Sequence, residues 1–402
     1  MSRNPSTPEF IAVIAMLVAT IAFSIDAMLP ALPQLAAELS PDAPNDAQLV
    51  VTSFVLGMGI GTLFTGPLSD AFGRKPVVLV AAGVYIAAAL AATQAADLDM
   101  LLGARFLQGL GAAGPRVVAL AIVRDRHAGR GMARIMSFVM MVFTLIPAIA
   151  PSLGAVLIHV SGWQAVFWAF ALFSALSALW LMLRVPETLD PAHRRPLQLR
   201  TLWEAIREMA GHPTVRLAIL VQGLAFGMLF ATISTIQPIY DVTFGRADSF
   251  PLWFGAIAIV AMSASYLNAR LVMQLGMRRL VSAMLSAQVV LSGAMLVVLQ
   301  TPLEGTALFL VFVAWQTTLF FQAGMILGNL NAIAMEPMGH IAGMAASITG
   351  SVATIIAVLL AAPVGLAFDG TPVPLAIAVF VFTVIGVALM RLMTRIEAAL
   401  PA

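Results

Sequence analysis

Two apolar segments, Gln48 to Leu68 and Val77 to Ala96, are joined by Gly66-Pro67-Leu68-Ser69-Asp70-Ala71-Phe72-Gly73-Arg74-Lys75-Pro76. Each segment is about long enough to cross a bilayer as a helix, so the charges of the turn sit at a membrane face. The same alternation runs through the whole chain. Long apolar stretches extend over Phe10 to Leu35, Gln48 to Ser69, Pro76 to Ala95, Leu101 to Arg124, Ala133 to His159 and Trp163 to Arg184. They resume over Thr214 to Ile239, Leu252 to Gln274, Leu280 to Gln300, Gly305 to Leu330, Ile341 to Phe368 and Val373 to Thr394. Membrane barrels need alternating strand patterns rather than continuous apolar runs. The expected fold is therefore all-α and integral to the membrane, with about twelve transmembrane helices.

Composition excludes a soluble domain: 61% of residues are hydrophobic, 10% are charged and the mean hydropathy is +0.98. With 402 residues and roughly 20 per span, little chain is left for a separate soluble domain. The absence of cysteine removes disulfide and thiol chemistry. Five scattered histidines show no metal spacing, and nothing resembles a nucleotide-binding loop. No metal, cofactor or nucleic-acid partner is expected. The first run reads as a retained helix and not a cleaved signal, because its only basic residue is Arg3 and its apolar stretch continues into Asp26 and Pro30.

The formal charge of +2 conceals a spatial asymmetry. Even-numbered connections carry Arg74 and Lys75; then Arg124, Arg126, Arg130 and Arg134; then Arg184, Arg194, Arg195, Arg200 and Arg207; then Arg270, Arg278 and Arg279, with Arg3, Arg391 and Arg395 at the termini. Odd-numbered connections carry Glu38, Asp42, Asp46, Asp97, Asp99, Asp241, Asp248, Glu304 and Asp369, with Arg246 their one clear cation. By the positive-inside rule, both termini and all even connections face the cytoplasm.

The longest polar connection, Val185 to Pro213, divides the chain into a bundle over 1–185, a linker over 186–213 and a second bundle over 214–402. Within the linker, Leu199, Leu202, Trp203, Ile206 and Met209 share one helical face. That pattern fits a helix on the cytoplasmic membrane surface or a solvated linker helix. Gly276-Met277-Arg278-Arg279-Leu280 follows the eighth span much as Gly73-Arg74-Lys75-Pro76-Val77 follows the second, which supports two six-helix halves.

Charge placement suggests a gate at the second turn. Asp70 can approach a helix N-terminus while Arg74 pairs with an acid on a neighbour, holding one arrangement closed; alternatively, these charges anchor the loop at the interface. Deeper in the membrane, ionisable groups are costly and usually functional. Asp26 lies about 24 Å along a helix entering from the cytoplasm, and Arg105 about 9 Å in from the outer face. In a core about 30 Å thick these depths nearly coincide, so the two are expected to meet across spans one and four. Such a contact would load and release a proton as the separation changes, or form a fixed ion pair between helices. Arg116, beside Gly114 and Pro115, either attracts an anionic or dipolar substrate or snorkels to the interface.

The turn from Gly66 to Pro76 is similar to the signature loop between helices two and three of the major facilitator superfamily, in its Gly66, Asp70, Gly73, Arg74 and Lys75 positions. By that resemblance the acid facing Arg74 is Asp125, at the end of helix four, and the helix N-terminus facing Asp70 begins near Ile341. Arg105-Phe106-Leu107-Gln108-Gly109-Leu110-Gly111 resembles the helix-four motif in which the arginine serves proton coupling. Pro147 to Gly154, with Pro151, resembles the helix-five antiporter motif, with alanines where glycines are expected. Asp26-Ala27-Met28-Leu29-Pro30-Ala31-Leu32-Pro33 and Asn331 to Gly343 resemble the Bcr/CflA branch of drug exporters. The resemblance covers nearly the whole chain. It implies export of antibiotics or other toxic compounds in exchange for protons across a bacterial inner membrane, by a chain working as a monomer.

Candidate cavity residues are Arg116, Gln222, Phe226, Phe230 and Gln237 on the first-half and seventh spans, with Trp315, Gln316, Phe320 and Gln322 on span ten; amides orient a ligand and aromatics supply stacking area. Gly57 with Gly61, and Gly324 with Gly328, have the spacing of close helix crossings. Three functional readings remain: a proton-coupled drug exporter, a proton-coupled carrier of one nutrient or metabolite, and an intramembrane enzyme. The last lacks a catalytic constellation, because His159, His193, His212 and His340 fall at membrane faces or in the linker.

Overall fold

The computed structural model describes residues 5–399 apart from 195 and 198, and these form helices and connecting turns. Arg3 and Arg195 lie outside the described residues. The chain divides into two compact units, Met1–Thr201 and Leu202–Ala402. The first contains α1 (Thr7–Asp26), a short α2 (Leu32–Leu39), α3 (Leu49–Phe72), α4 (Arg74–Ala92), α5 (Leu98–Arg126), α6 (Gly129–Ser161) and α7 (Gln164–Arg184). The boundary falls inside α8 (Leu199–Gly211), and the second unit continues with α9 (Pro213–Pro238), α10 (Phe250–Leu275), α11 (Met277–Val298), α12 (Gly305–Met335), α13 (Ala342–Leu366) and α14 (Val373–Ala399).

Among the described residues, eleven runs are long and apolar enough to cross a membrane. The longest, Gly305–Leu366, has 62 residues, about 90 Å as one helix against a hydrocarbon core of about 30 Å. It is two helices, because Pro337 withholds an N–H and Met338 leaves the helical region at φ −108°, ψ 27°. With α12 and α13 counted separately, each apolar stretch of the sequence has its helix, with ends displaced by a few residues.

The first stretch departs most from expectation. It was expected to run unbroken from Phe10 to Leu35, yet α1 stops at Asp26 and a 3-10 turn, Leu29–Ala31, precedes α2. Pro30 and Pro33 have no N–H for the carbonyls of Asp26 and Leu29. Met28 N–H bonds back only three residues, to the Ile25 carbonyl at 3.3 Å, which leaves the Ser24 carbonyl without its helical partner.

Two clusters of polar side chains tie helix ends together in the first unit. At one end of the first unit, Arg184 near the close of α7 forms two hydrogen bonds to Glu9 in the first turn of α1, and the Trp180 indole reaches the same carboxylate at 3.3 Å. At the other end, Glu38 accepts from the Trp163 indole at 2.8 Å and from Gln34 at 2.7 Å. Between these ends, α3 and α5 cross with almost no side chain between them. A Cβ on Gly57 would strike the Phe106 carbonyl, and one on Gly109 the Phe54 carbonyl, while Gly61 faces Leu110 and Ala113. In the second unit Gly324 lies against Ala264, but Gly328 faces open space, so only the first of that pair serves a crossing. In α8, Leu202, Ala205 and Met209 are buried and Trp203 is exposed.

Gly57→Ala and Gly109→Ala should each lose about 1–3 kcal/mol through overpacking, read as a lower unfolding temperature in detergent. Gly83→Ala, which adds a Cβ into open space, should melt as the native protein does.

Candidate functional site

The turn between α3 and α4 is built around Arg74. Gly73 sits at φ +102°, a conformation costly to any residue with a Cβ, and a Cβ there would also press on the Glu187 carboxylate. Arg74 pairs with Asp70 one turn back on α3, donates from Nε to Asp125 Oδ2 on α5 at 3.1 Å, and donates from Nη1 to the Ser69 hydroxyl at 2.8 Å. Gly66 contributes its carbonyl to the Ser69 hydroxyl at 2.9 Å. Lys75 Nζ donates to the carbonyls of Met182 and Val185, at 2.6 and 2.9 Å, closing the end of α7.

Glu187 was not singled out from the sequence. Its carboxylate accepts the backbone N–H groups of Arg74 and Lys75, each at 3.0 Å, and those of Thr188 and Leu189, each at 2.9 Å. It caps α4, where unsatisfied donors and the positive end of the helix dipole favour an anion. The signal available was an acid just beyond the sixth span, next to a turn whose first helical residues have no cap of their own.

The second unit repeats this device. Gly276 takes the same left-handed conformation at φ +76° before α11. Arg278 forms a fork with Glu397 near the end of α14, at 2.7 and 2.9 Å, and reaches Glu336 just beyond α12 at 3.0 Å. The glycine-to-arginine spacing is one residue longer than in the first half; Glu336 beyond α12 corresponds to Asp125 at the end of α5, whereas Glu397 on α14 stands where Asp70 on α3 does in the first half. Nearby, His340 Nε2 lies 2.9 Å from Glu208 on α8.

Inside the first unit, Asp26 is 4% exposed at the break between α1 and α2. Among the described residues its carboxylate has no hydrogen-bond or ion-pair partner. The expected contact with Arg105 is absent: Arg105, fully buried, donates from Nη2 to the Ser24 carbonyl at 3.1 Å, from Nε to the Val50 carbonyl at 3.2 Å and from Nη1 to Gln108 Oε1 at 2.7 Å. Its guanidinium stacks 4.4 Å from the centre of the Phe54 ring. The physical reason is the proline-broken helix, whose freed carbonyl competes with the carboxylate for the same donors. On the far side of the break, Gly154 packs directly on the Ala27 backbone, leaving no space for a Cβ. Pro147 and Pro151 lie in the preceding turns of α6, which remains a continuous helix. Arg116 is exposed, with Nη1 3.7 Å from the Met58 sulfur.

In the second unit, Gln222, Phe230, Gln237, Trp315, Gln316 and Gln322 are buried. The rings of Phe226 and Phe230 stack at 6.0 Å, and Phe320 meets Phe254 edge-on at 5.6 Å. Two members are already engaged: Trp315 donates to the Ser292 hydroxyl at 3.1 Å, and Gln316 accepts from the Tyr240 hydroxyl at 2.9 Å. Among the described residues, Gln222 Oε1, Gln316 Nε2 and Gln322 Nε2 have no hydrogen-bond partner.

Comparison with known proteins agrees with this architecture. The sequence model of the Major Facilitator Superfamily matches residues 12–362, and the chain belongs to that family. It is a multi-pass membrane transporter and not an enzyme. The bicyclomycin resistance protein homolog of Haemophilus influenzae is 30% identical over 399 residues, covering 96% of each chain. The multidrug resistance protein MdtL of Salmonella heidelberg is 31% identical over 245 residues, covering 60% of this chain and 61% of its own. These relatives bear out the likeness to Bcr/CflA-type drug exporters. A crystal structure of a D-xylose–proton symporter superposes with a TM-score of 0.74 at 14% identity, covering 96% of this chain and 97% of the other, and so shares the fold.

Glu187→Ala should uncap α4 and cost about 1–2 kcal/mol, measured by thermal unfolding. Glu187→Asp, which retains the anion, should recover part of that loss.

Proposed function

We propose that this protein exports drug-like small molecules from the cytoplasm in exchange for protons, by alternating access across a bacterial inner membrane. The observation that carries the reading is Asp26, a buried carboxylate without a partner, placed at a break in the first membrane helix and two residues from a carbonyl held by Arg105. A carboxylate in such surroundings is neutral when it carries a proton, and its ionised form needs a cation or water. Protonation from the outer side and deprotonation toward the cytoplasm would each change what the break tolerates. Gly154 transmits that change, because α6 touches the backbone of the break with no side chain between.

The remaining site residues take corresponding roles. Two six-helix bundles, 1–185 and 214–402, are joined by the linker 186–213, with both termini in the cytoplasm. Gly66, Asp70, Gly73, Arg74, Lys75 and Asp125 hold the cytoplasmic gate, while Pro147, Pro151 and Gly154 form the antiporter motif. Arg116 receives an anionic or dipolar part of the substrate. Gln222, Gln316 and Gln322 offer amide atoms unpaired among the described residues, Gln237 adds a further amide, and Phe226, Phe230, Trp315 and Phe320 line the apolar wall. One chain is a complete pathway. Drug resistance in the names of two relatives supports a toxic-compound substrate.

In inverted vesicles with a respiration-generated pH gradient, adding exported antibiotics should collapse the gradient, and Asp26→Asn, inserted normally, should abolish that response. Equal collapse in both proteins would move the proton site elsewhere. No response across the panel would favour a carrier of one metabolite. Arg116→Gln should weaken binding of anionic substrates about tenfold, the worth of one charge-assisted hydrogen bond, measured by equilibrium binding to the purified protein.

A further inference from the structure

Ser24 is held twice. Its hydroxyl donates to the Thr20 carbonyl at 2.6 Å, which uses its only proton. In the hydrogen bond between Ser24 Oγ and the Tyr85 hydroxyl, Tyr85 must therefore be the donor. The Ser24 carbonyl meanwhile accepts from Arg105. Tyr85 is 1% exposed, and α5 presses on its backbone at Gly111, where no Cβ fits. The phenol is thus a rigid strut from α4 to the last turn of α1, two residues before Asp26.

We propose that Tyr85 is a positioning residue for proton coupling: by holding Ser24, it keeps the Ser24 carbonyl on Arg105 and so keeps Arg105 off Asp26. This rests on the reading of Asp26 as the proton site. Other titratable groups do not intrude. Facing the break are Arg105 from α5 and Tyr85 from α4; α6 carries none between Arg134 and His159, α7 none between Gln164 and Arg184, and α3 none before Asp70. Glu38 on α2 is occupied by Gln34 and Trp163. Without the phenolic hydroxyl, the last turn of α1 loosens and the guanidinium is free to turn to the carboxylate. A neighbouring guanidinium favours the ionised form, so proton loading would then require more acid.

The test is drug-induced proton release from purified protein, followed against pH. Tyr85→Phe should move the midpoint toward acid by about one unit or more, with the fold retained because the ring remains. Ser24→Ala should produce the same shift, the double variant no further shift, and Ser24→Thr the native midpoint, as members of one linkage behave. An unchanged midpoint in Tyr85→Phe, or additive shifts in the double variant, would overturn the positioning role. If Tyr85→Phe fails to fold, Ser24→Ala against Ser24→Thr decides alone. Asp26→Asn in the same assay separates the two claims: continued proton release refutes the coupling site, whereas its loss beside an unshifted Tyr85→Phe refutes only the role of Tyr85.

Discussion

A backbone carbonyl inside a bilayer has no water to bond, so each one released from a helix must find a protein donor or face a cavity. The first membrane helix of this transporter breaks where Pro30 and Pro33 offer no N–H and where Met28 bonds to Ile25 in place of Ser24. Arg105 answers part of that demand, taking carbonyls from α1 and α3 and an amide from its own helix. A cation at the carboxyl end of α1 is also favourable to the helix dipole. The result is a guanidinium committed to the main chain at Ser24 and a carboxylate, Asp26, two residues further along, without a partner among the described residues. Arg105 is therefore a structural necessity of the broken helix as well as a candidate partner in coupling, and the two duties compete for the same N–H groups.

The helix ends show the complementary rule. Where chain leaves the membrane, its charges reach water but also meet helix termini, and both units use the same solution: a left-handed glycine, an arginine just after it, and acids drawn from two other helix ends. In the first unit Arg74 gathers α3, α4 and α5, while Glu187 folds the chain beyond α7 onto α4. In the second unit Arg278 gathers α11, α14 and the turn after α12. Exposed pairs of this kind contribute little each; several joined through buried donors and helix caps define one arrangement of the helices sharply.

Much of this was legible in the chain. Continuous apolar stretches determine twelve helical segments because lipid admits little else, and the alternation of cations and acids between connections gives their expected sense. The turn at Gly73 and the intramembrane Asp26, Arg105 and Arg116 are visible because glycine, charge and proline are expensive where they stand. The internal repeat was visible as Gly276 to Leu280, although not the acids that complete it. Glu187, Glu336 and Glu397 are unremarkable in sequence, being acids in polar turns, and only the convergence of helix ends from distant parts of the chain gives them a partner. The same holds for Tyr85 and Ser24, which read as ordinary residues of two apolar runs 61 positions apart.

Depth along a helix follows from counting residues, and that count gives Asp26 and Arg105 similar expected depths. Which donor meets which acceptor does not follow from depth. It depends on rotation of each helix, on where a proline frees a carbonyl, and on which neighbour is close enough to claim it. The sequence by itself determined a helical membrane transporter with its charges at defined depths, because the cost of polar groups in lipid acts residue by residue. Tertiary structure alone decided that Arg105 binds backbone and leaves Asp26 unpaired, because hydrogen-bond partners are chosen by distances between helices that no single segment contains.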